Sequence, residues 1–104
     1  MVLEYIRYGI PPEQAEEFEA AYRTASACLD RSEHCLGYEL ARSVEAPENY
    51  VLRIEWDSVD GHLMGFRRAP EFAPFLEAIK PYISQIEEMQ HYMLTPVAKS
   101  KKNV

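Results

Sequence analysis

The chain has 104 residues, 47% of them hydrophobic and 27% charged, with 12 aromatic side chains, 4 Gly and 7 Pro, a composition that fits one compact globular domain and excludes disordered and fibrous classes. Eleven Lys and Arg against 17 Asp and Glu give a net charge of -6, and without the acid-free end Ala98 to Val104, which holds three lysines, 8 against 17 gives -9, a balance that argues against nucleic acid and anionic membranes as partners. No apolar run approaches the roughly 20 residues that span a bilayer, and the first residues lack the basic start and apolar stretch of a signal peptide, so a cytoplasmic location is expected.

Residues 2 to 10 are rich in β-branched and aromatic side chains and alternate as a strand, with Val2, Ile6, Tyr8 and Ile10 on one face and Leu3, Tyr5 and Arg7 on the other. Pro11 and Pro12 stop it, and Glu13, Glu16 and Glu17 sit where the positive end of a helix dipole favours them. A helix is predicted to about Leu29, since Ala15, Phe18, Tyr22, Ala25 and Leu29 form one apolar stripe. Leu36, Tyr38 and Leu40, then Tyr50, Leu52, Ile54 and Trp56, alternate as two strands of a hairpin around the turn-like Glu45 to Asn49. Asp57 or Ser58 caps a short helix ending near Arg68, with Val59, His62, Leu63 and Phe66 on one face. After Pro70, Phe72, Phe75, Leu76, Ile79 and Ile83 repeat at helical spacing. A last strand, about Ile86 to Thr95, has Ile86, Tyr92 and Leu94 on one face and Met89, His91 and Met93 on the other, and the pattern leaves open which face meets the helices.

The order β, α, β, β, broken α, β closes as an α+β, ferredoxin-like βαββαβ fold: a four-stranded antiparallel sheet with its helices on one face. Residues 1–97 form this one domain and 98–104 a basic flexible tail. The other sheet face carries Tyr5, Arg7, Glu39, Val51, Arg53 and Glu55, a mixture suited to a partner sheet, so a homodimer is expected. Cys28 and Cys35 are too few for a disulfide framework and read as reduced thiols. Neither begins a C-x-x-C spacing, and His34 beside Cys35 has no further partner, so no zinc site is expected.

The element order, the segment Ile54-Glu55-Trp56-Asp57-Ser58 before a short helix, and Phe66-Arg67-Arg68-Ala69-Pro70-Glu71-Phe72 together resemble the antibiotic biosynthesis monooxygenase (ABM) family over about residues 2 to 96. The resemblance implies a dimeric α+β barrel with a cavity between sheet and helices. It further implies oxidation of phenolic substrates to quinones by O2 without metal or flavin in some members, and haem degradation in others. In the quinone-forming type an Asn lies four residues before the Trp and a Tyr six after it; here Leu52 and His62 hold those positions around Trp56. The functional Trp, His and Asn of the haem-degrading type fall at Phe66, Leu76 and near Tyr5, so haem degradation is not expected.

The resulting expectation is a cofactor-independent monooxygenase acting on an aromatic or polycyclic phenol. His62 takes the phenolic proton, Trp56 orients the rings, and Leu52, Phe66, Phe72 and Phe75 bind the substrate. His91, Tyr5, Tyr38 and Tyr92 are candidate polar contacts, and Arg67 and Arg68 read first as a solvated basic turn. The alternative is a non-catalytic module of the same fold that binds a small ligand or serves a redox partner.

Overall fold

Val2, Tyr5, Ile6 and Tyr8 favour extended backbone, and the computed structural model, which describes residues 1–101, forms the first strand, β1, over Val2–Gly9. Pro12 opens a 3-10 turn, Pro12–Gln14, that leads into α1, Ala15–Arg31. Glu16 and Glu17 in its first turn and Arg31 in its last complement the helix dipole, and the helix runs two residues past the expected Leu29. The hairpin strands are β2, Cys35–Arg42, and β3, Asn49–Trp56. A one-turn π-helix, Gly61–Gly65, passes into a 3-10 turn, Phe66–Arg68, and then come α2, Phe72–Ile79, a second 3-10 stretch, Lys80–Gln85, and β4, Ile86–Met93. No helix or strand follows Met93 among the described residues, and the end of the expected tail, 102–104, lies outside them.

The strands pair antiparallel in the order β2-β3-β1-β4, the ferredoxin-like sheet predicted from the element order. Its inward face meets α1 and α2 through an aromatic cluster centred on Phe18, whose ring lies 4.8 to 5.3 Å from those of Tyr8, Tyr22, Tyr50 and Tyr82, all edge to face. No helix among the described residues is long and apolar enough to cross a membrane.

Two local irregularities set up the site. The β1·β4 pairing shifts register between Arg7 and Tyr8: Tyr8 faces Ile86 but Arg7 faces Glu88, so Glu87 is an extra residue. The bulge inverts the alternation along β4. Ile86 points to the core beside Tyr8, while beyond the bulge Met89, His91 and Met93 stand opposite Ile6, Glu4 and Val2, and Tyr92 turns outward to stack edge-on against Tyr5. The face question left open by the sequence thus has a different answer on each side of Glu87.

The second irregularity is the π turn. The expected regular helix puts Val59, His62, Leu63 and Phe66 on one face, but the Phe66 N-H bonds back to Gly61, five residues away, and Val59 is 39% exposed while His62 and Phe66 are buried. The 3.6-residue period does not hold across a wider turn. Its packing also explains both glycines: a Cβ on Gly61 would run into the Asp57 carboxylate, and one on Gly65 into the His34 imidazole. His34 Nδ1 and Asp57 Oδ2 are 2.8 Å apart, Asp57 N-H donates to His34 O, and Ser58 Oγ accepts from Gly61 N-H, so this turn is braced from the start of β2.

Candidate active site

Between the inward face of β1, β3 and β4 and the layer formed by the π turn and α2 lies a cavity of about 260 Å³. Its walls are mostly apolar, with Trp56, Phe66, Phe72 and Phe75 at one side and Ile6 and Ile54 on the sheet. Leu76, Ile83 and Met89 also line it and are each at least 36% exposed, which puts its mouth along the β4 edge. Phe66 centres the aromatic wall, 5.2 Å from Trp56, 5.6 Å from Phe72 and 5.2 Å from Phe75.

One end of the cavity is polar, and it is built from four separate elements. Trp56, the last residue of β3, stacks on His62 from the π turn at 4.5 Å and 13° between planes. The Trp56 Nε1-H donates to Glu4 Oε1 at 3.0 Å, and Glu4, on β1, is only 3% exposed. His62, 4% exposed, has Nδ1 2.8 Å from His91 Nε2 on β4 and Nε2 3.5 Å from Glu4 Oε1. The first separation is a hydrogen bond; the second is beyond hydrogen-bond length. A tautomer with Nδ1-H donated to His91 therefore leaves the Nε2 lone pair as the freer one.

Burial governs the charge states here. It pushes His62 down to about 4, helped by the positive charges of Arg67 and His91, so the imidazole is neutral at pH 7. Burial pushes the Glu4 carboxyl up, opposed by the Trp56 hydrogen bond and the charges of His91 and Arg67. Tyr8 also lines the cavity, but its hydroxyl is turned to that of Tyr22, and burial pushes it up to about 12, so it stays a neutral phenol.

Of the residues singled out in the sequence, Trp56, His62, Phe66, Phe72 and Phe75 come together on this cavity. Leu52 does not. It is 1% exposed but lies farther along β3, where it lines an open groove between α1 and β2 with Tyr38, Leu40 and Tyr50. Arg67, read as a solvated turn, lines the cavity, whereas Arg68 does not. Glu4 is the residue missed. The signal was present: position 4 has the parity of Val2, Ile6 and Tyr8, so a carboxylate there must face inward.

The profile of the family described as antibiotic biosynthesis monooxygenase matches residues 1–78. A crystal structure of a Bordetella bronchiseptica protein assigned to that family superposes with a TM-score of 0.73 at 30% identity, over 90% of this chain and 96% of that one. A conserved protein from Methanosarcina mazei Go1, 20% identical, shares the fold with a TM-score of 0.72 over 88% of this chain and 89% of its own. Among curated sequences, the uncharacterized protein YczJ of Bacillus subtilis (strain 168) is 24% identical over 92 residues, 88% of this chain and 97% of that one.

Proposed function

Because the chain belongs to the antibiotic biosynthesis monooxygenase family, which gives it a general monooxygenase-like role, we propose that its cavity takes a small phenolic aromatic whose anion is oxidised directly by O2. The observation that carries this reading is the neutral His62, stacked on Trp56 at the polar end of an otherwise aromatic cavity, with one nitrogen bound to His91 and the other freer. The volume favours one or two rings over a larger polycycle: a site of about 150 Å³ already holds benzene, and this one offers about 260 Å³.

The phenolic hydroxyl docks against His62 Nε2, which removes its proton. Imidazolium is costly in a buried site, and the Nδ1-H bond to His91 offers that charge a path to the edge strand. Arg67, at the same end, supplies positive charge to the phenolate. O2 then takes electrons from the anion; one oxygen atom enters the ring and the other leaves as water, giving the quinone. The aromatic wall orients the rings and excludes water.

The test is oxygen uptake by chelator-stripped protein across a panel of one- and two-ring phenols and quinols. On any substrate found, His62→Ala is expected to lower kcat by at least about tenfold, the lower side of what a placed proton acceptor contributes, while Trp56→Phe acts more on KM. If ligands bind the cavity and none is oxidised, the protein is the non-catalytic binding module instead.

A further inference from the structure

We infer that Glu4, His62 and His91 form a binding site for a divalent first-row transition metal whose open coordination position faces the aromatic cavity. The inference stands on binding alone and does not depend on phenol oxidation.

Three elements far apart in sequence deliver these groups to one point. Glu4 and His91 are cross-strand partners in the β1·β4 ladder, which puts their side chains next to each other on the inward face. The π turn lowers His62 onto the pair from the helix layer, so the triangle has a ligand from each side of the cavity end. One ligand-capable atom from each residue lies within 4.8 Å of the other two. His62 approaches His91 through Nδ1 at 2.8 Å and Glu4 through Nε2 at 3.5 Å, so whichever nitrogen ligates already makes one edge of about the roughly 3 to 3.5 Å that ligands about 2.0 to 2.2 Å from one ion require, and a small side-chain turn closes the other from within 4.8 Å.

The donor set chooses the class of ion. Two imidazoles and one carboxylate suit zinc, iron(II), cobalt or nickel, whereas magnesium and calcium take oxygen ligands. Three protein ligands next to a cavity leave the open position that distinguishes a reactive metal site from a closed structural one. A supporting contact is also in place: Trp56 Nε1-H holds Glu4 Oε1 and so orients the carboxylate. An ion held by both imidazoles displaces the His62–His91 hydrogen bond, so metal binding and the proposed proton transfer draw on the same histidine pair and compete. Arg67 is the one opposing feature, a cation lining the same end of the cavity.

Chelator-stripped protein titrated with Zn²⁺ in a calorimeter, and with Co²⁺ while its visible absorption is recorded, tests the site. The expected result is one ion per chain with ligand-field bands in the cobalt spectrum. His91→Ala, on the edge strand, is the deciding variant and is expected to weaken binding by more than about tenfold, since even supporting residues of metal sites are worth 10- to 100-fold. Glu4→Gln does the same, and Trp56→Phe weakens binding less. Arg67→Met tightens it by removing a neighbouring charge, an effect that chance binding to exposed histidines does not show. Circular dichroism melts establish that each variant is folded. The inference is overturned by the absence of saturable binding, by several weak ions per chain (an adventitious ion only), or by full affinity in folded His91→Ala.

Discussion

Glu4 shows how one side chain ties the sheet to the cavity. Its carboxylate is buried on β1, and its one hydrogen bond comes from Trp56 at the end of β3. Trp56→Phe keeps an aromatic ring against His62 but removes that donor, and a buried acceptor left unpaired costs about 1 to 3 kcal/mol. Urea unfolding is expected to report a loss in that range, and a loss near zero sinks the account of the Trp56-Glu4 bond. His62 makes a second prediction, in pH. Its folded pKa of about 4 lies below the 6.5 of the free side chain, so between those values the unfolded chain binds more protons and stability falls as pH drops. Glu4, shifted upward, acts in the opposite sense, and Asp57, which the His34 hydrogen bond holds below its usual value, adds acid sensitivity only lower down. His62→Phe keeps a ring on Trp56 and cannot titrate. The variant is therefore expected to gain on the wild type steadily as pH falls from 7 to 4.5, and a pH-independent difference contradicts a neutral His62.

At the scale of elements, the π turn decides where His62 points, and its brace includes the side-chain pair of His34 with Asp57. Gly65→Ala puts a methyl group into the His34 ring, so the ring must swing out and the pair must break. The expected cost is about 1 kcal/mol, the lower side of what overpacking brings. In a His34→Ala background the same change is expected to cost almost nothing, a coupling within the roughly 0.5 to 3 kcal/mol seen for touching residues; additive effects measured by denaturation of the four proteins count against the brace. Neither the π turn nor the β4 bulge was legible in the sequence, because both break the fixed periods on which pattern reading depends. β1, β3, α1, α2 and the wall of Trp56, Phe66, Phe72 and Phe75 were legible. Leu52 failed for another reason. Alternation fixes the face of a strand but not the position along it, and four residues of strand place Leu52 about 13 Å from Trp56, under α1 instead of the cavity. Glu4 was passed over because a charge in an alternating strand is read as outward even when its parity is inward.

At the scale of the whole molecule, no element among the described residues covers the outward face of the sheet, and the side chains there are arranged as a surface and not as a solvated coat. Tyr5 and Tyr92 stack edge-on at 5.2 Å and, with Arg7, Val51 and Glu88, line a shallow depression. The charges around it are already paired within the chain: Arg7 with Glu87 at 2.9 Å and Glu88 at 3.7 Å, and Arg53 with Glu39 at 3.2 Å and Glu55 at 3.7 Å. Paired charges are cheaper to cover than free ones, since their mutual attraction offsets part of the desolvation cost. A chain of 104 residues also buries a smaller share of its surface than a larger domain and gains most from a second subunit. The expected state in solution is therefore a dimer joined through this face, with light scattering after size exclusion reading twice 12.0 kDa. Val51→Glu adds a further carboxylate to the middle of that face, on β3 between Ala41 and an Arg7 already paired with Glu87 and Glu88, and touches none of the cavity walls. It is expected to shift the protein towards monomer while the histidine pair and the aromatic wall stay in place, so that ligand binding by the cavity persists. A wild-type monomer at micromolar concentration, or a Val51→Glu protein that still elutes as a dimer, removes this face from the assembly.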